Sequence, residues 1–253
     1  NDATTGTFYL VYICETLESN DRSVNPTVMV ELDGSDSTSG GQSAVLTEWV
    51  WDLNVDVDSD GDDVTDNDED ATGETYEWKD VQPGEYEVQL TVTNSKGAEK
   101  SKTVKVYVNY LGTWNDLEIA GKPPGGERAE IEFTFSVEYD SDTGNTIRRA
   151  TLELTYPKQD DDWVIGSGSE QNRNNLSIYS YNETDDEVKN TSGYAENQKT
   201  WGDCNEEDND CVGMQLTSGE INSYEPGQWM GMIVNERAND VNNIQFRILL
   251  VYK

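Results

Sequence analysis

Residues 83–97 read PGEYEVQLTVTNSKG, and within them Tyr86, Val88, Leu90 and Val92 fall on one side of an extended chain while Glu85, Glu87, Gln89, Thr91 and Thr93 fall on the other. A strict period of two, apolar against polar, is the pattern of a strand with one buried and one wet face. The turn residues Gln82-Pro83-Gly84 and Asn94-Ser95-Lys96-Gly97 punctuate it at both ends. Working outward, PTVMVEL (26–32), LTEWVWDLN (46–54) and KTVKVYV (102–108) repeat the alternation, with Trp49, Trp51 and Leu53 on one face and Val104, Val106 and Val108 on another. Four short strands at this spacing predict a small antiparallel sandwich.

The pattern continues to the end of the chain. Ile131, Phe133, Phe135, Val137 and Tyr139 alternate with Glu130, Glu132, Thr134, Ser136 and Glu138, and further strands are expected at 150–156, 176–181, 212–217, 228–234 and 244–252. The intervals between them are rich in Gly, Asn, Asp and Ser and read as long loops. A chain of 253 residues is most economically two domains of about 100–150 residues each. The expected organisation is all-β: an N-terminal strand segment over residues 1–23, an immunoglobulin-like sandwich over 24–110 and a larger sandwich or jelly roll over 111–253.

In residues 25–109 the wording itself resembles the PKD (polycystic kidney disease) domain, an immunoglobulin-like extracellular module. Three stretches carry the resemblance: LDGSDS at Leu32–Ser37, EWVWDLN at Glu48–Asn54, and PGEYEVQLTVTNSKG at Pro83–Gly97. The region they mark, residues 25–109, covers about a third of the chain. The resemblance implies an immunoglobulin-like fold and an extracellular setting for this part. It does not extend to the turn after the Trp-Asp pair, where a long acidic insertion replaces the short turn of the family.

That insertion, Asp56–Asp70, reads DVDSDGDDVTDNDED, nine acidic side chains in fifteen residues without a Lys or Arg. Carboxylates at this density repel one another, and alternate oxygen ligands around a turn glycine are what Ca²⁺ coordination requires. Two ligand registers fit. One starts at Asp56 and runs through Asp58, Asp60, Gly61 and Asp62, with Asn67 at the twelfth position. The other starts at Asp58 and runs through Asp60, Asp62, Asp66 and Glu69, with Asp63 at the usual glycine slot. The run also resembles the aspartate-rich repeats of thrombospondin type 3, which implies several ions with overlapping ligands. The expectation is one or two Ca²⁺ held by residues drawn from Asp56, Asp58, Asp60, Asp62, Asp66 and Glu69; a solvated acidic loop is the alternative.

Composition excludes several function classes. The chain carries 51 Asp plus Glu against 17 Lys plus Arg, a net charge of −34, and since phosphate contacts require clustered Lys and Arg, nucleic acid is not an expected partner. Such an acid excess resembles proteins of saline or marine organisms, archaeal ones among them, in which net charge maintains solubility. There is no His, which removes His-based triads, general bases and zinc sites; the chain is expected not to be an enzyme. Cys204 and Cys211 bracket an acidic turn at a spacing that suits a disulfide loop and an oxidising compartment. Cys14 is expected to be a buried apolar thiol, with intermolecular pairing as the alternative. Asn175, Asn182 and Asn190 begin glycosylation sequons. No run of about twenty apolar residues is present, so no membrane insertion by this segment is expected.

The terminal strands suggest assembly. TFYLVYICE (7–15) is apolar on both faces, Phe8, Leu10, Tyr12 and Cys14 on one and Tyr9, Val11 and Ile13 on the other, so it is expected to need cover on both sides. Either it pairs with the equally apolar last strand, or Phe8, Leu10, Val11 and Tyr12 enter a neighbouring subunit by strand exchange. The first functional expectation is therefore a non-catalytic extracellular or cell-surface structural or adhesive protein, a subunit of a filament, stalk or surface layer, stabilised by Ca²⁺ and self-associating. The second is a carbohydrate-binding accessory region of a secreted enzyme, with surface glycans as partners and Trp114, Trp163, Trp201 and Trp229 as the aromatic candidates.

Overall fold

The computed structural model describes residues 8–158, 174–192 and 208–253. These residues are nearly all β, as the alternation requires. In chain order the strands are β1 Phe8–Leu17, β2 Ser23–Val24, β3 Val28–Asp33, β4 Leu46–Asp52, β5 Ala71–Thr72, β6 Thr75–Val81, β7 Gly84–Asn94, β8 Glu99–Ile119, β9 Ala129–Val137, β10 Arg149–Pro157, β11 Leu176–Tyr181, β12 Glu187–Asn190, β13 Asn209–Thr217, β14 Gly227–Asn235 and β15 Val241–Val251. One short helix, α1 Ser218–Ile221, interrupts them, started by a Thr217–Glu220 capping box.

Two sandwich units share one sheet. In the first, β5-β4-β7 and the N-terminal half of β8 face the β3-β6 hairpin; in the second, the C-terminal half of β8 with β15, β10 and β13 faces β12-β11-β14-β9-β2. The core of the second unit is aromatic: Trp114 of β8, Phe133 of β9 and Phe246 of β15 meet with centroids 4.9 Å (Trp114–Phe133) and 4.6 Å (Phe133–Phe246) apart. All three are completely buried, and the Trp114 indole N–H donates to the Asp21 carbonyl at 2.7 Å, fastening the segment after β1 to this core.

β8 is where the structure departs most from the sequence reading. The expected boundary between residues 110 and 111 falls inside β8, which runs unbroken for 21 residues through that point. Asn109 is fully buried, its Oδ1 accepting the Tyr252 N–H at 2.7 Å, so it joins the end of the chain to the middle of β8. Gly112 provides room: any Cβ there would overlap the Tyr110 hydroxyl. Both residues serve the packing of the strand against its neighbours.

The N-terminal strand is also placed differently. β15 is bonded to β10 and β8, so β1 does not pair with the last strand. Instead β1 runs parallel to β8, from Phe8 opposite Lys105 to Leu17 opposite Trp114. β7 occupies β8 up to Val108 and β15 occupies it from Tyr110 onward. Both overlap the β1 register, so β1 must lie along the opposite edge of β8, spanning the junction between the units. Phe8, Val11, Ile13 and Leu17 pack inward, and the Lys253 ammonium sits 3.7 Å above the Phe8 ring. The face that begins with Phe8 is covered only at that end: Leu10 and Tyr12 are 42% and 52% exposed, and Cys14 is exposed and free.

Further contacts fix the junction. Glu85 of β7 is buried, receives the Lys105 ammonium at 2.7 Å and the Thr146 hydroxyl at 2.9 Å, and gives its own N–H to Asn145 Oδ1 at 2.9 Å. Thr146 and Asn145 belong to the second unit, so this carboxylate binds the two units directly. The strand β6 (TYEWKDV) was not among the expected strands, since Tyr76 and Trp78 are only half-buried and the alternation is short; Trp78 packs edge-on against Tyr86 at 5.0 Å.

Candidate metal centre

The acidic insertion leaves the end of β4 and returns at β5, and its two ends are fastened together. The Asp70 N–H donates to the Trp51 carbonyl at 3.0 Å, while the Asp70 carboxylate accepts the Leu53 N–H and the Ser59 hydroxyl, both at 2.7 Å. Gln89 of β7 reaches the Asp66 carbonyl at 2.9 Å and ties the loop to the sheet. These contacts close the loop before any ion is considered.

Inside it, carboxylates organise the backbone. Asp58 Oδ1 accepts the N–H groups of Gly61 (2.6 Å) and Asp62 (3.2 Å), and Oδ2 accepts that of Asp63 (2.9 Å). Asp60 accepts the Asp62 N–H at 3.0 Å, and Asp62 accepts the Val64 N–H at 2.8 Å and the Asn67 amide at 3.0 Å. Gly61 and Asp63 take positive φ values of 82° and 69°, the left-handed conformations that reverse the chain here. The outcome is that carboxylate oxygens of Asp58, Asp60 and Asp62 come within 4.8 Å of one another.

The electrostatics follow from this geometry. The Gly61 N–H, followed by that of Asp63, holds the Asp58 carboxyl below the usual carboxylate range. Desolvation raises Asp60, and the charges of Asp62, Asp68 and Asp58 push the same way against the Asp62 N–H. Among the described residues no Lys or Arg pairs with any of these carboxylates. Three converging hard oxygens without a counter-charge suit Ca²⁺ better than Mg²⁺, which seldom gives up its waters to an all-protein cage.

Of the six ligands expected from the sequence, Asp58, Asp60 and Asp62 are brought together, and Asp56, Asp66 and Glu69 are not part of that group. Asp56 points instead at Gly144 in the turn of the second unit, where its Oδ2 lies 3.1 Å from the position a Cβ would take. Two acidic residues outside the expected set are the most deeply placed: Asp52 and Asp68 are 3% and 2% exposed. Asp68 accepts the N–H groups of Ser59 (2.8 Å) and Asp60 (3.3 Å). Asp52 Oδ1 accepts the Asn54 N–H at 3.0 Å, and its Oδ2 is buried without a donor. Burial pushes the Asp52 carboxyl up to about 6, the Asn54 N–H opposing and Asp70, Asp68 and Asp66 adding to the rise. Sequence reading passed over Asp52 because it belongs to the Trp51-Asp52 strand signature; the signal was its place at the mouth of the acidic run.

The other expected positions divide as follows. Cys211 is buried and disulfide-bonded, and Cys204 lies outside the described residues. Asn175 is exposed, Asn190 half-buried, and Asn182 is 2% exposed with its Oδ1 accepting the Thr184 and Asp186 N–H groups. Trp114 and Trp229 are buried and unable to stack on a sugar, and Trp163 and Trp201 lie outside the described residues. A groove of about 860 Å³ opens between β3 and the inner face of β7-β8, lined by Trp51, Val88, Leu90 and Val104 below and by Tyr9, Leu10, Met29, Asp33 and Lys102 at its exposed positions.

No family model matches the chain, and no curated protein matches it. Among solved structures, one of carbohydrate-binding modules from the β-sandwich superfamily is similar at 16% identity and a TM-score of 0.30, over 92% of this chain and 93% of that one. The isomalto-dextranase of Arthrobacter globiformis T6 is similar at 10% identity and a TM-score of 0.29, over 92% of this chain and 34% of that one. The Bacteroides ovatus mixed-linkage glucan utilization protein SGBP-B is similar at 10% identity and a TM-score of 0.23, over 96% of this chain and 52% of that one. The chain thus spans about a third of the second and half of the third. At these scores the likenesses carry no weight for function.

Proposed function

We propose that the chain is a non-catalytic structural segment of an extracellular or cell-surface protein, a stiff pair of β-sandwich units that Ca²⁺ consolidates near their junction. The observation that carries this reading is β8, which passes from one sandwich to the other without a linker. Domain pairs that move are joined by exposed, flexible connections with few contacts across them; here β1 splints the same crossing and Glu85 is bonded from the second unit. The acidic loop adds to this, since Asp56 at its start lies against Gly144. The PKD resemblance of residues 25–109 accords with an extracellular spacer. Assembly by strand exchange would use the β1–β8 register, made here within one chain, in trans.

Force spectroscopy tests the mechanical role. Pulled between its ends, the chain is expected to resist a higher force in Ca²⁺ than in chelator. Equal forces under both conditions would remove the calcium-dependent mechanical reading.

Glycan binding is the second reading, favoured by the groove between β3 and β8, which combines an exposed Tyr9 ring with the polar side chains of Asp33 and Lys102. Retention on an immobilised polysaccharide, lost in Tyr9→Ala, would support it. Absence of retention on any glycan tried would count against it.

A further inference from the structure

We infer that Asp52 anchors a second, inner cation site, distinct from the Asp58–Asp60–Asp62 group and sharing the loop with it, which takes a hard divalent ion of the Ca²⁺ class. The inference deepens the calcium reading above and rests on it. Its starting point is the buried, donorless Oδ2 of Asp52, at 3% residue exposure. A carboxylate withdrawn from water is costly unless hydrogen-bonded or paired, and an oxygen left without a partner bears most of that cost.

The surroundings supply negative charge and oxygen, not a counter-charge. The carboxylates that act on Asp52 are those of Asp70, Asp68 and Asp66. Asp68 is itself buried, and each of its oxygens accepts one backbone N–H, leaving a lone pair on each free for a metal. Residues 46–78 contain no Lys or Arg, so no cationic side chain of the loop or its flanking strands can serve. The fold keeps this arrangement in place at both ends: Asn54 holds Oδ1, and the Asp70–Trp51 and Asp70–Leu53 hydrogen bonds close the loop immediately beside it. A buried carboxylate oxygen that protein donors leave unsatisfied, at the mouth of a loop of carboxylates, fits a divalent cation with a preference for oxygen. Asp68 Oδ1 accepts the Asp60 N–H at 3.3 Å, so the loop backbone links Asp68 to the Asp58–Asp60–Asp62 group.

Equilibrium dialysis with Ca²⁺ on the whole chain tests this, using Asp52→Asn and Asp60→Asn. The wild type is expected to bind two ions and each variant one. Asn at position 52 keeps the size of the side chain and an oxygen for the Asn54 N–H, so in chelator Asp52→Asn is also expected to melt at or above the wild-type temperature, while its Ca²⁺-induced rise shrinks. A merely structural Asp52 would instead lower the melting temperature in chelator. Two ions still bound by Asp52→Asn would overturn the inner site and leave the outer one standing. A single wild-type ion lost in Asp60→Asn and kept in Asp52→Asn would do the same. A single ion lost only in Asp52→Asn would support the inner site and overturn the outer. No ion bound by the wild type at millimolar Ca²⁺ would overturn both.

Discussion

Calcium at about a hundred times its dissociation constant is expected to raise the melting temperature of this protein by about 5–10 °C for each ion bound, and a chelator is expected to reverse the rise. The size follows from linkage: a ligand that binds only the folded state contributes about 2.7 kcal/mol at that excess. For a chain of this length each kcal/mol moves the transition by roughly 2–4 °C. The cause is the charge of the loop, in which nine carboxylates between Asp56 and Asp70 meet no Lys or Arg partner among the described residues. Folding concentrates them, most of all at Asp58, Asp60 and Asp62, so a cation relieves repulsion that is weaker in the unfolded chain. Calorimetry in calcium, magnesium and chelator checks it, with magnesium expected to give the smaller rise. Identical transitions in calcium and chelator would leave the loop as a solvated acidic surface.

Trp114→Ala is expected to cost about 3–5 kcal/mol, the range for an aromatic side chain removed from a packed core. Trp114 has no solvent exposure, contacts Phe133 and Phe246, and holds the Asp21 carbonyl. Its position at the C-terminal end of the β1–β8 pairing, opposite Leu17, means that the cavity opens under the strand that splints the junction. Chemical denaturation followed by fluorescence and by circular dichroism measures the loss. A cost under about 1 kcal/mol would show that this aromatic cluster is not the core that holds β8, β9 and β15 together.

Strand positions were legible wherever the alternation was long. β9, and the buried series Ile244, Phe246, Ile248 and Leu250 of β15, follow the period-two pattern, whereas in β7 Val88 and Val92 are buried as expected but so is Glu85 on the expected wet face. What the sequence hid was how strands join. The expected boundary near residue 110 falls inside β8, where Asn109 takes the Tyr252 N–H and Gly112 leaves room for the Tyr110 ring, tertiary contacts that local patterning does not encode. The doubly apolar β1 predicts burial on two faces because composition cannot show which positions the fold covers; Leu10, Tyr12 and Cys14 remain exposed. At the acidic loop, counting Asp spacings finds Asp58, Asp60 and Asp62, whose side chains fold onto local N–H groups. It misses Asp52 and Asp68, whose burial depends on how the loop closes over the end of β4, a tertiary event that local spacing does not encode.

If β8 makes the two sandwiches one stiff body that calcium consolidates, a distance across the junction is fixed in calcium. Pulsed dipolar spectroscopy across the junction tests this most directly, with spin labels at Val45 in the first unit and Asp185 in the second, both exposed, and Cys14→Ser to leave no free thiol among the described residues. A single narrow distance distribution in calcium that broadens in chelator is the expected result. A broad or multiple distribution in calcium, unchanged by chelator, would mean that the units move independently of each other and of the ion.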